Sequence, residues 1–470
     1  MWQWLIKIWQ KIQDLFVVVP KQQVMPTQIT FQANDPTTPD LRFVVPCPSD
    51  PLPLQITVVG LNSPAEWGTA EGDAATVFVT LATLLEYLKK MFSKPTHWAA
   101  APILQVVPRA GKQLNAYYDR QSLRYFFDQD RHGKMIYLCE SSEVVAHECG
   151  HAILDALRPD FWSTASLETF AFHEAFADIT AMVATMQWDQ VLNKAIKDTN
   201  GNLHQSNVVS MIGEDVGLIL GMQQGLRNAF NTFCYTPPEN LPESAPDNQL
   251  SGECHNFGRV FLGAWYELMV NIYDYHKTVG MDAKTALTQA RDVAYLLLLN
   301  AVVQTPNTPR LHEAIAKIMV SLASKDYQEI VRKTFAKRGL LGEHSLFAMS
   351  GVTWDQFADK DKARIIEGNT KFAVVSPEKK TMHLAHHVSN ERLSALAIGG
   401  YNLGNVKVEF AADKFYEFDE GGKLISMFAP EQEELVQITQ KAVTSITSIG
   451  PHEDTMWKVE NGNLVRTYYE

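Results

Sequence analysis

Two histidines and a glutamate lie close together in an apolar stretch of the chain. Residues 144–151 read VVAHECGH, so His147 and His151 are four positions apart. In a helix this spacing places both imidazoles one turn apart on one face, where they can bind one metal ion. Glu148 points about 100° round the same helix, where its carboxylate can reach a water molecule on that metal. Two imidazoles and one carboxylate suit Zn²⁺ and leave a fourth position open for water.

The third protein ligand has to come from another part of the chain. The segment HEAFAD at 173–178 offers Glu174, far enough beyond His151 for a turn and an antiparallel return. Asp178 lies one helical turn after Glu174 on the same face. Its carboxylate can accept a hydrogen bond from the second nitrogen of a ligand histidine and so fix the tautomer of that ring. The alternative is a buried helix that contains two histidines and a glutamate by chance.

Composition and charge narrow the class of protein. The chain has 470 residues, enough for about three domains, and its 46% hydrophobic and 20% charged residues predict a packed core. The net charge of −12 argues against nucleic acid as a partner, because nucleic-acid-binding proteins normally carry basic patches. The five cysteines lack the spacing of a disulfide framework or of a cysteine-based zinc site. We therefore expect a cytoplasmic protein, with secretion by an unconventional route as the alternative.

Residues 1–19 predict an amphipathic helix. Large apolar residues recur there at helical spacing: Trp2, Leu5, Trp9, Ile12 and Phe16. One interpretation is that this stripe packs on the protein, and the other is a weak contact with a membrane surface, which tryptophan and lysine favour. A secretory signal fits poorly, because charges interrupt the apolar run and no small-residue cleavage site follows. No stretch of the sequence approaches the roughly 18–20 apolar residues of a membrane span.

The first part of the chain mixes predicted strands with one long helix. Short apolar or alternating runs predict strands at 41–45, 54–59, 103–108 and 134–138. The apolar periodicity of 71–93 predicts a helix, which Lys94-Pro95 ends. Residues 115–130 alternate between polar and aromatic types and predict an exposed edge strand. Such a strand beside a catalytic helix is a natural docking place for an extended peptide.

From 152 to about 340 the pattern is helical, with a proline-rich loop at 236–250. The predicted helices are 171–186, 217–230, 257–276, 281–302, 309–324 and 326–339. After about 345 the pattern changes to strands at 371–375, 394–398 and 406–410, hairpins at 415–428 and 457–469, and a helix at 430–447. His383, His386 and His387 there are interpreted as a surface cluster.

Four divisions of the chain follow from these patterns. Residues 1–54 are predicted to be an N-terminal extension with the amphipathic helix, and 55–151 an α/β lobe that ends in the zinc helix. Residues 152–345 are predicted to be a helical lobe, and 346–470 a small accessory α+β domain.

Four separated stretches resemble, in the same order, the thermolysin-like zinc metallopeptidases of the gluzincin type. Asn115-Ala116, followed by aromatic residues and Asp119, resembles the edge strand that holds the substrate backbone. VVAHECGH resembles the zinc helix, and HEAFAD resembles the element that supplies the third ligand. Gly225-Leu226-Arg227, with His255-Asn256-x-Gly258 downstream, resembles the arginine and histidine elements of the substrate site. The resemblance covers about 55–345 and leaves 1–50 and 346–470 without a match.

The resemblance implies an α+β fold of two lobes, β-rich and then α-helical, with the accessory domain added. It implies a zinc-dependent peptidase acting on a peptide or protein substrate, with Zn²⁺ on His147, His151 and Glu174. Glu148 would be the general base and Asp178 the carboxylate behind a ligand histidine. His255 would donate a hydrogen bond to the developing oxyanion, Arg227 would hold a substrate carbonyl, and Asn115 and Ala116 would hold the peptide backbone extended. Taken alone, Arg227 could equally be a surface arginine and His255 a core or loop histidine.

The sequence departs from the family pattern at several positions. His173 precedes Glu174 where the family has asparagine. The family's tyrosine between the two ligand helices has no clear counterpart, and the nearby Phe161 and Trp162 carry no hydroxyl. Leu250 replaces the carboxylate that orients the site histidine, with Glu253 as a candidate substitute. The family's calcium-binding acidic run is not evident, so we expect no structural calcium. These departures leave a second hypothesis open, a catalytically weak or inactive binding protein on the same fold whose C-terminal domain mediates interactions.

Overall fold

The computed structural model describes residues 26–48, 52–130, 132–162, 166–219, 225–308 and 310–341, and eight short strands between 371 and 466. Over these residues the protein is mixed α+β, which confirms the predicted class at that level. The predicted amphipathic helix at 1–19 lies outside the described residues.

A hairpin of two strands lies against the beginning of the helix that carries His147 and His151. β1 (Gln28–Gln32) pairs antiparallel with β2 (Arg42–Pro46). Beyond β1, the side-chain amide of Asn34 donates to Glu143 Oε1 at 2.5 Å. Phe31 of β1 is fully buried, so this part of the chain belongs to the same hydrophobic core as the helices.

The N-terminal part contains a four-stranded sheet. β3 (Ile56–Val58), β4 (Leu104–Val107) and β6 (Ser122–Tyr125) are parallel neighbours. β5 (Ala116–Tyr118) pairs antiparallel with β6 and lies at the edge of the sheet. The main chain of β5 therefore has one side without a strand neighbour within this sheet.

The prediction of one edge strand over 115–130 is right for its first residues and wrong for the rest. The chain turns after β5, where Arg120 has a positive φ of 72° and Asp119 Oδ1 accepts the backbone N–H of Ser122 at 2.6 Å. It then forms β6, and β7 (Phe127–Gln129) pairs with β8 (Met135–Tyr137). The alternation of residue types did not reveal this turn, because aspartate and arginine also occur on exposed strands.

The long predicted helix is confirmed as α1 (Ala70–Phe92). The Thr69 side chain caps its N-terminus by accepting from Gly72 N, and Ser93 ends it in the left-handed conformation at φ 58°. α1 also contacts the start of the next helix, since Thr80 Oγ1 lies 3.0 Å from Ser142 Oγ. α1 thus packs against the helix that carries His147 and His151 within the core.

The two helices that carry the predicted ligands run antiparallel. α2 (Ser142–Leu157) carries VVAHECGH, α3 (Pro159–Trp162) is a single turn, and α4 (Leu167–Thr185) carries HEAFAD. Their backbones approach closely at Gly150, where an added Cβ would lie 2.7 Å from the Ala177 Cα. Because a larger residue would push the helices apart, this glycine brings both ligand-bearing faces together.

Six further helices follow α4 along the described chain. They are α5 (Asp189–Asp198), α6 (Glu214–Ile219), α7 (Cys254–Thr278), α8 (Ala283–Gln304), α9 (Leu311–Leu322) and α10 (Lys325–Lys337). Five of the six helices predicted between 171 and 339 are confirmed, with ends shifted by a few residues. α8 has the length and hydropathy of a membrane span, although more than half of its most apolar segment is buried inside the protein. Its packing against α7 and α9 accounts for that apolar character.

The predicted helix at 217–230 is wrong over its second half. α6 already begins at Glu214, and Gly225 has a positive φ of 79°, which a right-handed helix does not allow. Arg227 and Asn228 form β10 (Arg227–Asn228), which pairs with β9 (Met211–Ile212). Helical periodicity in the sequence therefore concealed a turn that reverses the chain and directs Arg227 toward α4.

In the C-terminal part, the structure describes strands only. Phe415–Phe418 pairs with Leu424–Phe428, and Trp457–Glu460 pairs with Asn463–Arg466, which confirms both predicted hairpins. Strands at Lys371–Ser376 and Val406–Val408 also fall where predicted. The predicted strand 394–398, the helix 430–447, His386 and His387 lie outside the described residues. The predicted domain boundaries remain predictions.

Candidate metal centre

Three side chains from α2 and α4 converge on one point. The Nε2 atoms of His147 and His151 lie 3.2 Å apart. Glu174 Oε2 lies 3.5 Å from His147 Nε2, and Glu174 Oε1 lies 3.7 Å from His151 Nε2. Zinc–ligand distances of about 2.0–2.2 Å separate the atoms of a tetrahedral site by roughly 3.3–3.6 Å. The two imidazole nitrogens and the Glu174 carboxylate therefore have nearly the spacing of ligands around a shared Zn²⁺.

The chemistry of the three groups also fits a cation between them. All three residues are buried, and neither oxygen of Glu174 makes a hydrogen bond within the described part of the chain. A buried carboxylate without hydrogen bonds costs free energy unless a cation compensates it. Burial raises the pKa of Glu174, but the neighbouring imidazoles of His255, His151 and His147 together hold it well below its usual value. The carboxyl group is therefore ionised and suited to bind a metal ion.

Asp178 lies behind the ligands and contacts two of the predicted site residues. Its Oδ1 accepts from His147 Nδ1 at 2.8 Å, which orients the ring so that Nε2 is the nitrogen that faces His151 and Glu174. Its Oδ2 accepts from Arg227 Nε at 2.6 Å, and Arg227 Nη2 donates to Oδ1 at 2.8 Å. Burial opposes ionisation, but the charge of Arg227 and the hydrogen bond from His147 lower the pKa of Asp178.

Glu148 lines a cavity of about 470 Å³, together with His147 and Glu174 of the ligand cluster. Burial raises its pKa to about 7, so the carboxyl group can exchange a proton near neutral pH. Seven of the nine predicted site residues line this cavity: Asn115, Ala116, His147, Glu148, Glu174, Arg227 and His255. The other two, His151 and Asp178, lie behind it. Part of its wall is apolar, formed by Leu138, Val144, Ile212, Val216 and Leu226.

His255 reaches the cluster from the first turn of α7. Its Nε2 lies 3.5 Å from Glu174 Oε2, and its Nδ1 lies 2.5 Å from Glu253 Oε1. Glu253 is also the N-cap of α7, where its side chain accepts the backbone N–H groups of His255 and Asn256. Glu253 therefore supplies a carboxylate that holds His255, at a position different from that of Leu250, where the family pattern has one. The cap could have been found from the sequence only if the start of α7 at Cys254 had been known, and the predicted start was 257.

The structure also shows where the other residues that depart from the family pattern lie. His173 lies behind His151, with ring centroids 5.9 Å apart, and next to the Trp162 ring at 6.2 Å. Phe161 and Trp162 are buried, and no tyrosine is among the described residues that line the cavity. Of the nearby tyrosines, Tyr125 is turned away, because its hydroxyl donates to Val145 O at 3.1 Å.

Two further features were not predicted from the sequence. Arg259, one turn after His255, lines the cavity and donates to the carbonyls of Asp247 and Gln249, which fixes the proline-rich loop as one cavity wall. Asp35, Glu143 and Glu214 form a buried group whose carboxyl oxygens lie within 4.8 Å of one another, a spacing that could hold a cation. The expectation of no structural calcium therefore remains a prediction.

Comparisons of the chain with sequence models of known protein families and with curated proteins find no match. The function of the protein is therefore inferred from the residues and geometry of this site.

Proposed function

We propose that this protein is a zinc-dependent peptidase with a thermolysin-like, two-lobed gluzincin fold, which hydrolyses peptide bonds in peptide or protein substrates. The observation that carries the proposal is the convergence of His147, His151 and Glu174, whose ligand atoms lie 3.2 to 3.7 Å apart. The buried carboxylate of Asp178 fixes one ligand, and Glu148 lies next to the cluster in an open cavity.

The chemistry divides between the metal and the side chains. When bound, Zn²⁺ lowers the pKa of a water molecule and polarises the scissile carbonyl. Glu148 takes the proton of the attacking water and returns it to the leaving nitrogen, a role suited to a carboxyl group whose pKa is about 7. His255 donates from Nε2 to the developing oxyanion while Glu253 holds Nδ1.

The substrate is held on two sides of the cavity. Asp178 fixes the guanidinium of Arg227, which lines the cavity and donates its remaining N–H groups to a substrate carbonyl. Asn115 and Ala116, where the edge strand β5 begins, offer main-chain groups to an extended peptide. The apolar wall beside Leu226 and Val216 fits an apolar substrate side chain.

A second candidate function is a metallopeptidase-fold binding protein with little or no activity, whose C-terminal domain mediates interactions. The observation that favours it is the side-chain chemistry of Phe161 and Trp162, which offer no hydroxyl to a developing oxyanion. The presence of Glu148, which a purely structural metal site does not need, favours the peptidase function.

A cleavage assay separates the two functions. Purified full-length protein is incubated with casein and with a quenched-fluorescence peptide library, before and after chelation and with zinc restored. We expect cleavage that chelation abolishes and zinc restores, and a loss of about 10²–10⁴-fold in Glu148→Gln. Glu86→Gln, a change of an exposed glutamate on α1, is the matched control and should keep full activity. Absence of cleavage in the zinc-loaded protein, or equal cleavage by Glu148→Gln, would defeat the peptidase proposal.

A further inference from the structure

A second group of metal-binding atoms lies on one side of the cavity, at the beginning of α7. Cys254 Sγ lies 3.3 Å from Glu253 Oε1 and 3.6 Å from His255 Nδ1. The third pair, Glu253 Oε1 and His255 Nδ1, is 2.5 Å apart. A thiol, a carboxylate and an imidazole nitrogen from three consecutive residues thus face one another.

The spacing of these atoms is close to that of a tetrahedral zinc site. With zinc bound at about 2.3 Å from sulfur and about 2.0–2.1 Å from nitrogen and oxygen, sulfur would lie roughly 3.5 Å from each of the other ligands. The two distances to Cys254 Sγ already have this length. Only the Nδ1–Oε1 distance has to widen, to roughly 3.3 Å, when the metal replaces the proton between them. The Glu253 side chain is 41% exposed and has room to make that movement.

We propose that Glu253, Cys254 and His255 form a second zinc site, distinct from the one on α2 and α4, and that zinc bound there inhibits the peptidase. The combination of thiolate, imidazole and carboxylate selects zinc over the hard cations calcium and magnesium. Glu253 and His255 line the cavity, so an ion can reach the site from solvent, which would supply the fourth ligand as water.

Inhibition follows from what the second ion displaces. Binding releases the thiol proton of Cys254 and the proton on His255 Nδ1 to solvent, and the metal takes the place of that proton between His255 and Glu253. Glu253 then holds the metal instead of His255, so the ring loses the carboxylate contact that orients its Nε2–H toward the oxyanion. Only this inhibitory effect rests on the proposed peptidase function, since binding of the second ion does not require catalysis.

Cobalt titration tests binding without reference to activity. Metal-free full-length protein is titrated with Co²⁺, and the cobalt–thiolate charge-transfer absorption is followed together with the number of ions bound. We expect one ion without thiolate absorption, then a second ion with it. Cys254→Ser should abolish the absorption and weaken the second ion by at least tenfold, since even loss of a residue that only supports a ligand costs about 10–100-fold. Cys234→Ser, which removes an exposed thiol elsewhere, is the matched control.

Zinc titration then tests the regulatory effect. Peptidase activity is measured as Zn²⁺ is raised from one equivalent to an excess. The activity of each variant is expressed relative to its own activity at one equivalent. Inhibition should appear with the second ion, and Cys254→Ser should require at least about tenfold more zinc for it. A second cobalt ion without thiolate absorption, or absorption that persists in Cys254→Ser, would overturn the site. If the absorption depends on Cys254 but the protein cleaves no peptide, the second site stands and the peptidase proposal fails.

Discussion

Gly150 and Ala177 lie in direct backbone contact at the point where the two ligand-bearing helices pack. A Cβ on residue 150 would lie 2.7 Å from the Ala177 Cα and 3.1 Å from the Thr180 Cβ. The contact involves backbone, which cannot move aside without separating α2 from α4. The distance between His151 and Glu174 therefore depends on the absence of a side chain at one position.

Gly150→Ala tests this dependence. Alanine gains about 1 kcal/mol of helix propensity over glycine, but overpacking of a core typically costs about 1–3 kcal/mol. We expect a net loss of stability together with weaker zinc binding, measured by urea unfolding and by metal content after dialysis. Gly252→Ala is the control, because its new Cβ would approach no atom closer than 3.6 Å. Unchanged zinc affinity in Gly150→Ala would contradict the role of this contact.

Asp178→Asn tests the carboxylate behind the metal ligands. The amide can still accept one hydrogen bond, but it loses the charge that holds both His147 and Arg227. We expect zinc affinity to fall about 10–100-fold, measured by competition with a chelating dye. The matched control is Asp274→Asn, which weakens an exposed aspartate–histidine pair with His204, also at 2.8 Å. If both variants bind zinc like the wild type, Asp178 does not support the metal site.

Glu253→Ser separates the two roles of Glu253. Serine is a good N-cap residue and should preserve the start of α7, but it is too short to reach the His255 ring. We expect kcat to fall at least tenfold with little change in KM, because loss of an oxyanion donor typically costs about 10²–10³-fold. Glu253→Gln, which keeps an acceptor near Nδ1, should recover part of the loss.

A matched cap variant controls for helix stability. Asp282→Ser changes the N-cap of α8, where the aspartate accepts from Thr285 N at 3.0 Å. This variant should show the same small change in unfolding free energy as Glu253→Ser and no change in kcat. If kcat of Glu253→Ser falls together with unfolding of α7, the effect comes from the lost helix cap and not from the orientation of His255.

His312→Phe tests a buried histidine beneath the site. The ring stacks on Phe257 with centroids 5.1 Å apart, and neither nitrogen has a hydrogen-bond partner among the described residues. Burial lowers the pKa of His312 to about 3, whereas in the unfolded chain it is about 6.5. The unfolded state therefore binds a proton first as the pH falls. The stability that the neutral ring contributes above pH 6.5 is lost progressively between about pH 6.5 and 3.

The expected size of this effect is measurable. One pKa unit corresponds to about 1.4 kcal/mol, so this single histidine should reduce the unfolding free energy by about 2 kcal/mol between pH 7.5 and 5. In His312→Phe that part of the pH dependence should disappear, as measured by urea unfolding at several pH values. His97→Phe, at an exposed position, should keep the wild-type slope. An unchanged slope in His312→Phe would show that the buried ring is not the source.

Local periodicity was sufficient to predict most of the helices between 171 and 339 and the residues of the candidate metal centre. His147, His151, Glu174 and Asp178 could be found because each pair lies one helical turn apart, so the sequence alone determines which face they share. The helix α1 and the hairpin at 415–428 were found in the same way, from apolar spacing and turn residues.

The parts that sequence did not predict depend on where the chain turns. Gly225 reverses the chain before Arg227, and nothing in the helical pattern of 217–230 distinguishes that turn from a tolerated glycine. The partnership of Glu253 with His255 depends on the first residue of α7, and helix boundaries are less certain from sequence than helices themselves. The group of Asp35, Glu143 and Glu214 joins residues far apart in the chain, which no local pattern reports.

Because Asp178 accepts hydrogen bonds from His147 and from Arg227 at once, we expect occupancy of the proposed metal site and of the proposed substrate cleft to be thermodynamically linked. Such coupling is reciprocal, so a peptide that engages Arg227 and strengthens the shared network should increase the affinity for the ion by the same free energy that the ion adds to peptide affinity. Protein with bound substrate would then keep its metal ion when free zinc is scarce, whereas protein without substrate would lose the ion first.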